Sequence, residues 1–192
     1  MKGTVLITGS SSGLGKHLVT KFKSEGHKVI EHNGRKDHDL AILKDIYKLA
    51  MKAREHDVKI LINNAAVTCP SIKLEDYNID LIQNMIDVNL KAPIILSYLL
   101  IYELDSIINI NSMVGLETKQ PRTLYSATKW GLRGFSNSLK AENEKIEILD
   151  VYPTNIKTTP DRKNAMDVQM VVDKIYDAYI NKETDLILDG RK

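Results

Sequence analysis

Short apolar runs alternate along this chain with longer stretches in which apolar residues return every three or four positions. The first pattern predicts buried strands, and the second predicts helices laid over them. Val5–Thr8 is expected as a strand, and Leu14, Leu18, Val19 and Phe22 then mark one face of a helix over Leu14–Ser24 that Gly26 stops. Lys28–His32 resumes as a strand, a helical pattern runs through Leu40, Leu43, Ile46, Tyr47 and Met51, and Lys59–Ala65 is the next strand. Helices are expected over Tyr77–Ile86 and Val88–Tyr102, a strand over Ser106–Asn111, and a long helix over Thr123–Asn143. "KIEILDVY" predicts a strand, "VQMVVDKIYDAYI" a helix and "DLILD" a last strand. Strand and helix alternate throughout, which predicts an α/β fold: one doubly wound, mostly parallel sheet with helices on both faces. No repeat, low-complexity tract or linker divides residues 1–192, so a single domain is expected. Ligands of such sheets sit beyond the carboxyl ends of the strands, near the point where strand order reverses.

Composition narrows the possible functions. With 192 residues, 43% hydrophobic and 27% charged, the chain suits one well-buried core of a soluble protein. A net charge of +2, two Phe and one Trp argue against a nucleic-acid partner. The single cysteine, Cys69, excludes an internal disulfide and a cysteine metal site, and its place before Pro70 suggests an incidental thiol in a loop. The five histidines are scattered without ligand spacing, so solvated surface positions and no metal are expected. "MKGTVLITG" runs straight into a strand with no signal peptide in view, and "APIILSYLLIY" is too short to span a bilayer. A cytoplasmic protein without a membrane partner is the expectation.

Several residues at or near strand ends carry candidate chemistry. "TGSSSGLG", Thr8 to Gly15, stands where a strand gives way to a helix. Glycines there let backbone N–H groups approach a pyrophosphate, and the helix N-terminus favours negative charge, although a flexible turn is the plainer reading of one glycine pattern. Tyr125 and Lys129 stand four apart on a predicted helix and share a face. An ammonium there lowers the pKa of a phenol, which makes a general acid–base; an isolated pair of this kind is more often a surface contact. Ser112 ends a strand thirteen residues before Tyr125, Asn63-Asn64-Ala65 ends the strand before that, and Asn89 interrupts an apolar helical segment. Singly each reads as a cap or turn residue. Their joint order and spacing are hard to attribute to chance.

"TGSSSGLG", "NNAA", Asn89, Ser112, "YSATK" and "YPTNIKT" together resemble the classical-type short-chain dehydrogenase/reductases, over nearly the whole chain from Lys2 to Gly190. The resemblance implies a Rossmann-like fold and an oxidoreductase that interconverts a small carbonyl compound and its alcohol. Tyr125 would be the general acid–base, Lys129 would tune it and hold ribose hydroxyls, Ser112 would polarise the carbonyl, and Asn89 would hold a proton-relaying water. Gly9, Ser11, Ser12, Gly13, Leu14 and Gly15 would cradle the nicotinamide dinucleotide, with Asn63, Ala65, Pro153, Ile156 and Thr158 flanking it and Asp39-Leu40 at the adenine. Gly34 falls where an acid would grip the ribose of NAD, and Arg35 follows it. An arginine suits a 2′-phosphate, so NADP(H) is the expected cofactor and NAD(H) the alternative; Asn33, Ser10 and Ser11 are rival selectors.

The chain departs from the family pattern in two places. Only one helix fits between Lys28–His32 and Lys59–Ile62 where the family has helix, strand and helix, so six strands are expected, with seven the alternative. The segment "TPDRKNAM" is short where the family carries a substrate cover. Ala66 for the last glycine of "NNAG" and Thr154 for a glycine are milder changes. The apolar circumference of "VNLKAPIILSYLLIYEL" and the chain's stop at Lys192 point to a homodimer, with a tetramer next. A non-catalytic NADP(H)-binding sensor or scaffold of the same fold is the alternative function.

Overall fold

The computed structural model describes residues 2–68, 71–159 and 164–191. Cys69, expected as an incidental thiol, and Pro160–Lys163 of the short cover lie outside the described residues. The elements run β1 (Thr4–Thr8), α1 (Gly13–Ser24), β2 (Val29–His32), α2 (Leu43–Glu55), β3 (Val58–Asn63), α3 (Ile79–Ile86), α4 (Ala92–Leu100), β4 (Ser106–Ile110), α5 (Thr123–Glu142), β5 (Glu147–Pro153), β6 (Ile156–Lys157), β7 (Met166–Asp167), α6 (Val168–Ile180) and β8 (Asp185–Leu188). Six of these strands form one sheet in the order β2-β1-β3-β4-β5-β8, with every pairing parallel. This is the expected Rossmann-like architecture with six strands, and β2 is its outer edge.

Alternation along each strand sends successive side chains to opposite faces. Val5 and Ile7 of β1, Ile60 and Ile62 of β3, Ile108 and Ile110 of β4, and Leu149 and Val151 of β5 pack under α1 and α6. Leu6, Leu61, Ile107 and Ile148 pack under α2 and α4 on the other side. Both faces are therefore dry, which is why these strands read as continuous apolar runs. After β2 the chain crosses β1 to form β3, so strand order reverses between β1 and β3. A crevice opens there at the strands' carboxyl ends.

The structure adds to or departs from the sequence reading at four places. The helical pattern from Leu40 to Met51 becomes α2, which buries Ile46, Leu49, Ala50 and Ala53 and leaves Leu43, Tyr47 and Met51 about half exposed. Both stripes fit helical spacing; the one with alanines lies closer to the sheet. The helices expected over Tyr77–Ile86 and Val88–Tyr102 are one nearly continuous rod, α3 and α4 joined by a π-helical turn over Asp87–Lys91. The short parallel pair β6 and β7 was not expected at all. Finally, His27 and His32 are buried rather than solvated, because each finds backbone partners for its ring: Gly3 O accepts at 3.0 Å from His27, and Gly9 N and His38 O bracket His32.

Candidate active site

Two cavities meet at the crevice. The larger, about 460 Å3, is lined by Gly9, Ser11, Ser12, Gly13, Leu14 and Gly15 on one side, by Gly34, Arg35, Asp39 and Leu40 on another, and by Asn64 to Thr68 opposite. The first turn of α1 points its N–H groups into this space, and the Ser12 side chain does not cap them. The glycines are there for contact as much as for flexibility. A Cβ on Gly15 would stand 2.2 Å from Gly9 O, and Gly9, at φ +65°, would press one to 2.8 Å from the Ala65 backbone. Thr8 and Asn64 tie the two strand ends together: Thr8 Oγ1 accepts from the N–H of Asn64 (3.0 Å) and Ala65 (3.1 Å), and Asn64 Nδ2 donates to Thr8 O (2.8 Å). An open cradle of unpaired N–H groups beside a helix terminus fits a pyrophosphate.

His32 supports that cradle from beneath. Its Nδ1 accepts from Gly9 N (3.2 Å) and its Nε2 donates to His38 O (2.8 Å), a pairing that fixes the neutral tautomer. Burial pushes its pKa below the ordinary histidine value. Arg35 stands at the mouth, with Nε 3.3 Å from Asp39 and Nη2 donating to Asn84 Oδ1 at 3.0 Å. Its side chain remains 68% exposed.

The second cavity, about 330 Å3, shares Leu14, Asn64, Thr68 and Thr158 with the first and is walled by Ser112, Tyr125, Pro153 and Ile156. Ser112 sits between the end of β4 and α5, its backbone N–H donating to Asn111 Oδ1 at 3.0 Å. Lys129 lies behind Tyr125, buried, with Nζ 5.7 Å from the phenol ring centre and donating to Ile110 O at 2.8 Å. Desolvation lowers its pKa to about 8, against the raising influence of Asp150.

The fold thus brings Ser112 and Tyr125 onto one wall with Lys129 behind, and gathers most of the expected cofactor residues around one cleft. Asn89, Lys129, Asn63 and Asn33 line neither cavity. Asn89 sits in the π turn, where its Oδ1 accepts from Val67 N (2.7 Å) and its Nδ2 donates to Val67 O (2.9 Å). The amide that the resemblance assigns to a water is engaged at both ends by the wall of the cleft. Asn63 pairs in register with Asn109 and turns with it toward α5. Asn63 Nδ2 donates to Asn109 Oδ1 (2.8 Å), Asn109 Nδ2 to Ser136 Oγ (2.9 Å), and Ser136 Oγ to Asp150 Oδ1 (2.8 Å), while Lys140 pairs Asp150 Oδ2 at 3.0 Å. Asn33 accepts from Ser10 Oγ at 3.3 Å. Sequence reasoning missed His32 and His38 in the cleft, and Glu117, Lys119, Arg122 and Arg191 around the second cavity. For Arg122 the only signal was its place three residues before Tyr125.

A parallel sheet with a phosphate cradle at its reversal point defines a dinucleotide-binding α/β protein. A family model described as short chain dehydrogenase matches residues 38–169, more than half of the chain, and the protein belongs to that family of NAD(P)(H)-dependent oxidoreductases. It is 32% identical over 197 residues to the 3-oxoacyl-[acyl-carrier-protein] reductase FabG of Rickettsia prowazekii, covering 90% of this chain and 80% of the relative. An uncharacterized oxidoreductase of Staphylococcus aureus is 26% identical, with 88% of this chain and 87% of the relative covered. Among solved structures, a bulky-bulky ketone specific alcohol dehydrogenase from Comamonas testosteroni superposes with a TM-score of 0.86 at 27% identity, over 97% of this chain and 86% of that one.

Proposed function

We propose that the protein is an NADP(H)-preferring oxidoreductase that interconverts a small carbonyl compound and its alcohol, with Tyr125 as general acid–base. The observation that carries this reading is the shared wall of Ser112 and Tyr125, with the Lys129 ammonium behind the phenol, in a cavity continuous with the cradle. When bound, the nicotinamide dinucleotide supplies or takes up a hydride. Tyr125 gives its hydroxyl proton to the carbonyl oxygen during reduction and recovers it from the alcohol during oxidation. Ser112 donates a hydrogen bond to the same oxygen. Lys129 favours the phenolate that Tyr125 becomes, because a nearby cation stabilises the charged form. Asn89 acts as a positioning residue that holds Val67 and the cleft wall. The N–H groups of Gly13, Leu14 and Gly15 hold the pyrophosphate, with Gly9, Ser11, Ser12, Ala65, Pro153, Ile156 and Thr158 around it. The names of the Rickettsia relative, a 3-oxoacyl reductase, and of the Comamonas neighbour, a ketone-specific dehydrogenase, describe the same carbonyl chemistry and support it here.

The NADP(H) preference rests on Arg35, at the cleft mouth beside Asp39 and Leu40. Its present partners are the Asp39 carboxylate and the Asn84 amide oxygen at an exposed site, which a phosphate dianion can outcompete for a guanidinium. The test follows NADPH and NADH oxidation with a panel of aldehydes and ketones. Tyr125→Phe should keep NADPH affinity and lose about a hundredfold or more in turnover, on the order of a general acid's contribution. Arg35→Ala should weaken NADPH binding about ten- to a hundredfold and leave NADH nearly unchanged, the loss of charge-assisted bonds to one phosphate. Full activity in Tyr125→Phe would remove the mechanism, and equal losses for both cofactors in Arg35→Ala would remove the preference. Tight NADPH binding with no turnover on any carbonyl would favour a non-catalytic sensor.

A further inference from the structure

Four charged residues stand around the cavity that holds Ser112 and Tyr125: Glu117, Lys119, Arg122 and Arg191. Two of them neutralise each other. Arg191 donates from Nε to Asp189 Oδ1 at 2.8 Å and from Nη2 to Asp189 Oδ2 at 2.8 Å, and its Nη1 meets Glu117. Lys119 and Arg122 stand outside that cluster, and with them the group around the cavity is net positive. Lys119 is exposed at the rim, and no ion pair ties it among the described residues.

Arg122 is the unusual one. It caps the start of α5 and is partly buried, and its Nε is shielded from solvent with no hydrogen-bond partner. Arg35, Arg54 and Arg191 each hold a carboxylate and Arg133 lies over the Trp130 ring at 5.5 Å, whereas the Arg122 guanidinium, with a shielded Nε, forms no ion pair or hydrogen bond with any described residue. A guanidinium that makes no bond within the fold is not there to hold the fold together. A shielded N–H without an acceptor is costly, and such groups persist where a ligand supplies the missing partner.

We propose that Arg122 anchors a carboxylate on the substrate, which makes the substrate a short oxo acid or the matching hydroxy acid. The proposal rests on Ser112 and Tyr125 being the reaction centre. The guanidinium presents parallel donors that match the two oxygens of a carboxylate, and it stays charged at every working pH. Its place three residues before Tyr125 puts the anchor on the same side of the helix start as the acid–base, so acid and carbonyl lie only a few bonds apart. The cavity of about 330 Å3 is sized for a small molecule. Lys119 at the rim adds attraction for an anion on its way in.

The experiment uses the full chain saturated with NADPH and three matched pairs: pyruvate, acetoacetate and levulinate, each beside its methyl ester. At least one acid should exceed its ester about tenfold or more in kcat/KM, through KM. Arg122→Gln should raise KM for that acid about ten- to a hundredfold, the range expected for losing a charge-assisted pair, and the loss on the ester should be at least tenfold smaller. Arg122→Lys should recover part of the loss, and the melting temperature of Arg122→Gln should stay near that of wild type. Calorimetric titration of the same acids in the presence of NADPH gives a readout that needs no turnover. If wild type turns over nothing but binds an acid that Arg122→Gln does not, the anchor stands and the oxidoreductase reading fails. If esters serve as well as acids, or Arg122→Gln weakens both alike, the anchor is wrong and the oxidoreductase reading is untouched. Failure of every acid both to bind and to react also overturns the proposal.

Discussion

Lys129 shows what the site costs the fold. Its ammonium is buried behind Tyr125, with the Ile110 carbonyl as its hydrogen-bond acceptor, and desolvation brings its pKa from 10.5 to about 8. The unfolded chain therefore binds more protons than the folded one between those two values, so Lys129's contribution to stability rises with pH across that window. At pH 7 the residue is charged in both states and the burial penalty is fully felt, on the order of 3 kcal/mol. Lys129→Met should accordingly melt higher than wild type at pH 7 while losing activity, and its advantage should shrink as pH is raised from 8 toward 10. Differential scanning calorimetry of the two proteins across that range checks this, since their other titrating groups are shared. A variant less stable than wild type at pH 7, or a gap that ignores pH, would show that Lys129 is a structural asset. At this scale the sequence pointed to Tyr125 and Lys129 because their shared helix face came together with Ser112, Asn89 and the glycine turn in one order; the four-residue spacing by itself fits a surface pair equally well. It hid Arg122 and His32. Whether a guanidinium finds a partner, or an imidazole is bracketed by Gly9 and His38, depends on segments far apart in the chain.

Among the elements, legibility followed burial. β1, β3, β4 and β5 are dry on both faces, and their apolar runs announced them to within a residue or two. The missing outer strand was readable as well, because the stretch between β2 and β3 holds apolar spacing for one helix only, and β2 is the sheet edge. That loss leaves α2 as the one α-helix between β2 and β3, with an outward stripe of Leu43, Tyr47 and Met51 that periodicity cannot distinguish from its buried stripe. The π turn at Asp87–Lys91 was less accessible still. It is recognisable only from its hydrogen bonds, and its consequence is that Asn89 faces the Val67 backbone and fixes the cleft wall. β6 and β7, each of two residues, are held by a register that no run of apolar residues records. What carried the site's position was the order of elements: a reversal between β1 and β3 places a crevice there whichever side chains line it.

The whole molecule leaves large apolar groups uncovered on the helices that frame the site. Ile79 and Ile86 on α3, Tyr98 on α4 at 74% exposure, Tyr102 just beyond it, and Trp130 on α5 at 43% all face outward, and α3 packs directly against α5. Single exposed apolar residues are ordinary, but several on adjoining helices are what a self-complementary two-fold interface needs. A homodimer through α4 and α5 is the expected assembly. Light scattering at micromolar concentration should return twice the chain mass, and Tyr98→Glu combined with Trp130→Glu should halve it, since burying a carboxylate at a two-fold contact places like charges together. The outward stripe on α2 offers a rival face, and Tyr47→Glu with Met51→Glu tests it in parallel. Dissociation by the α2 pair alone would move the interface to the sheet's outer edge. A monomeric wild type would show that neither face is used. A dimer through α4 and α5 would also bear on catalysis: Tyr125 and Lys129 lie on the helix that carries Trp130, so contact there would stiffen the element that bears the proposed acid, its cation and Arg122. The Tyr98→Glu, Trp130→Glu pair should therefore lose turnover along with the dimer, while the α2 pair keeps both.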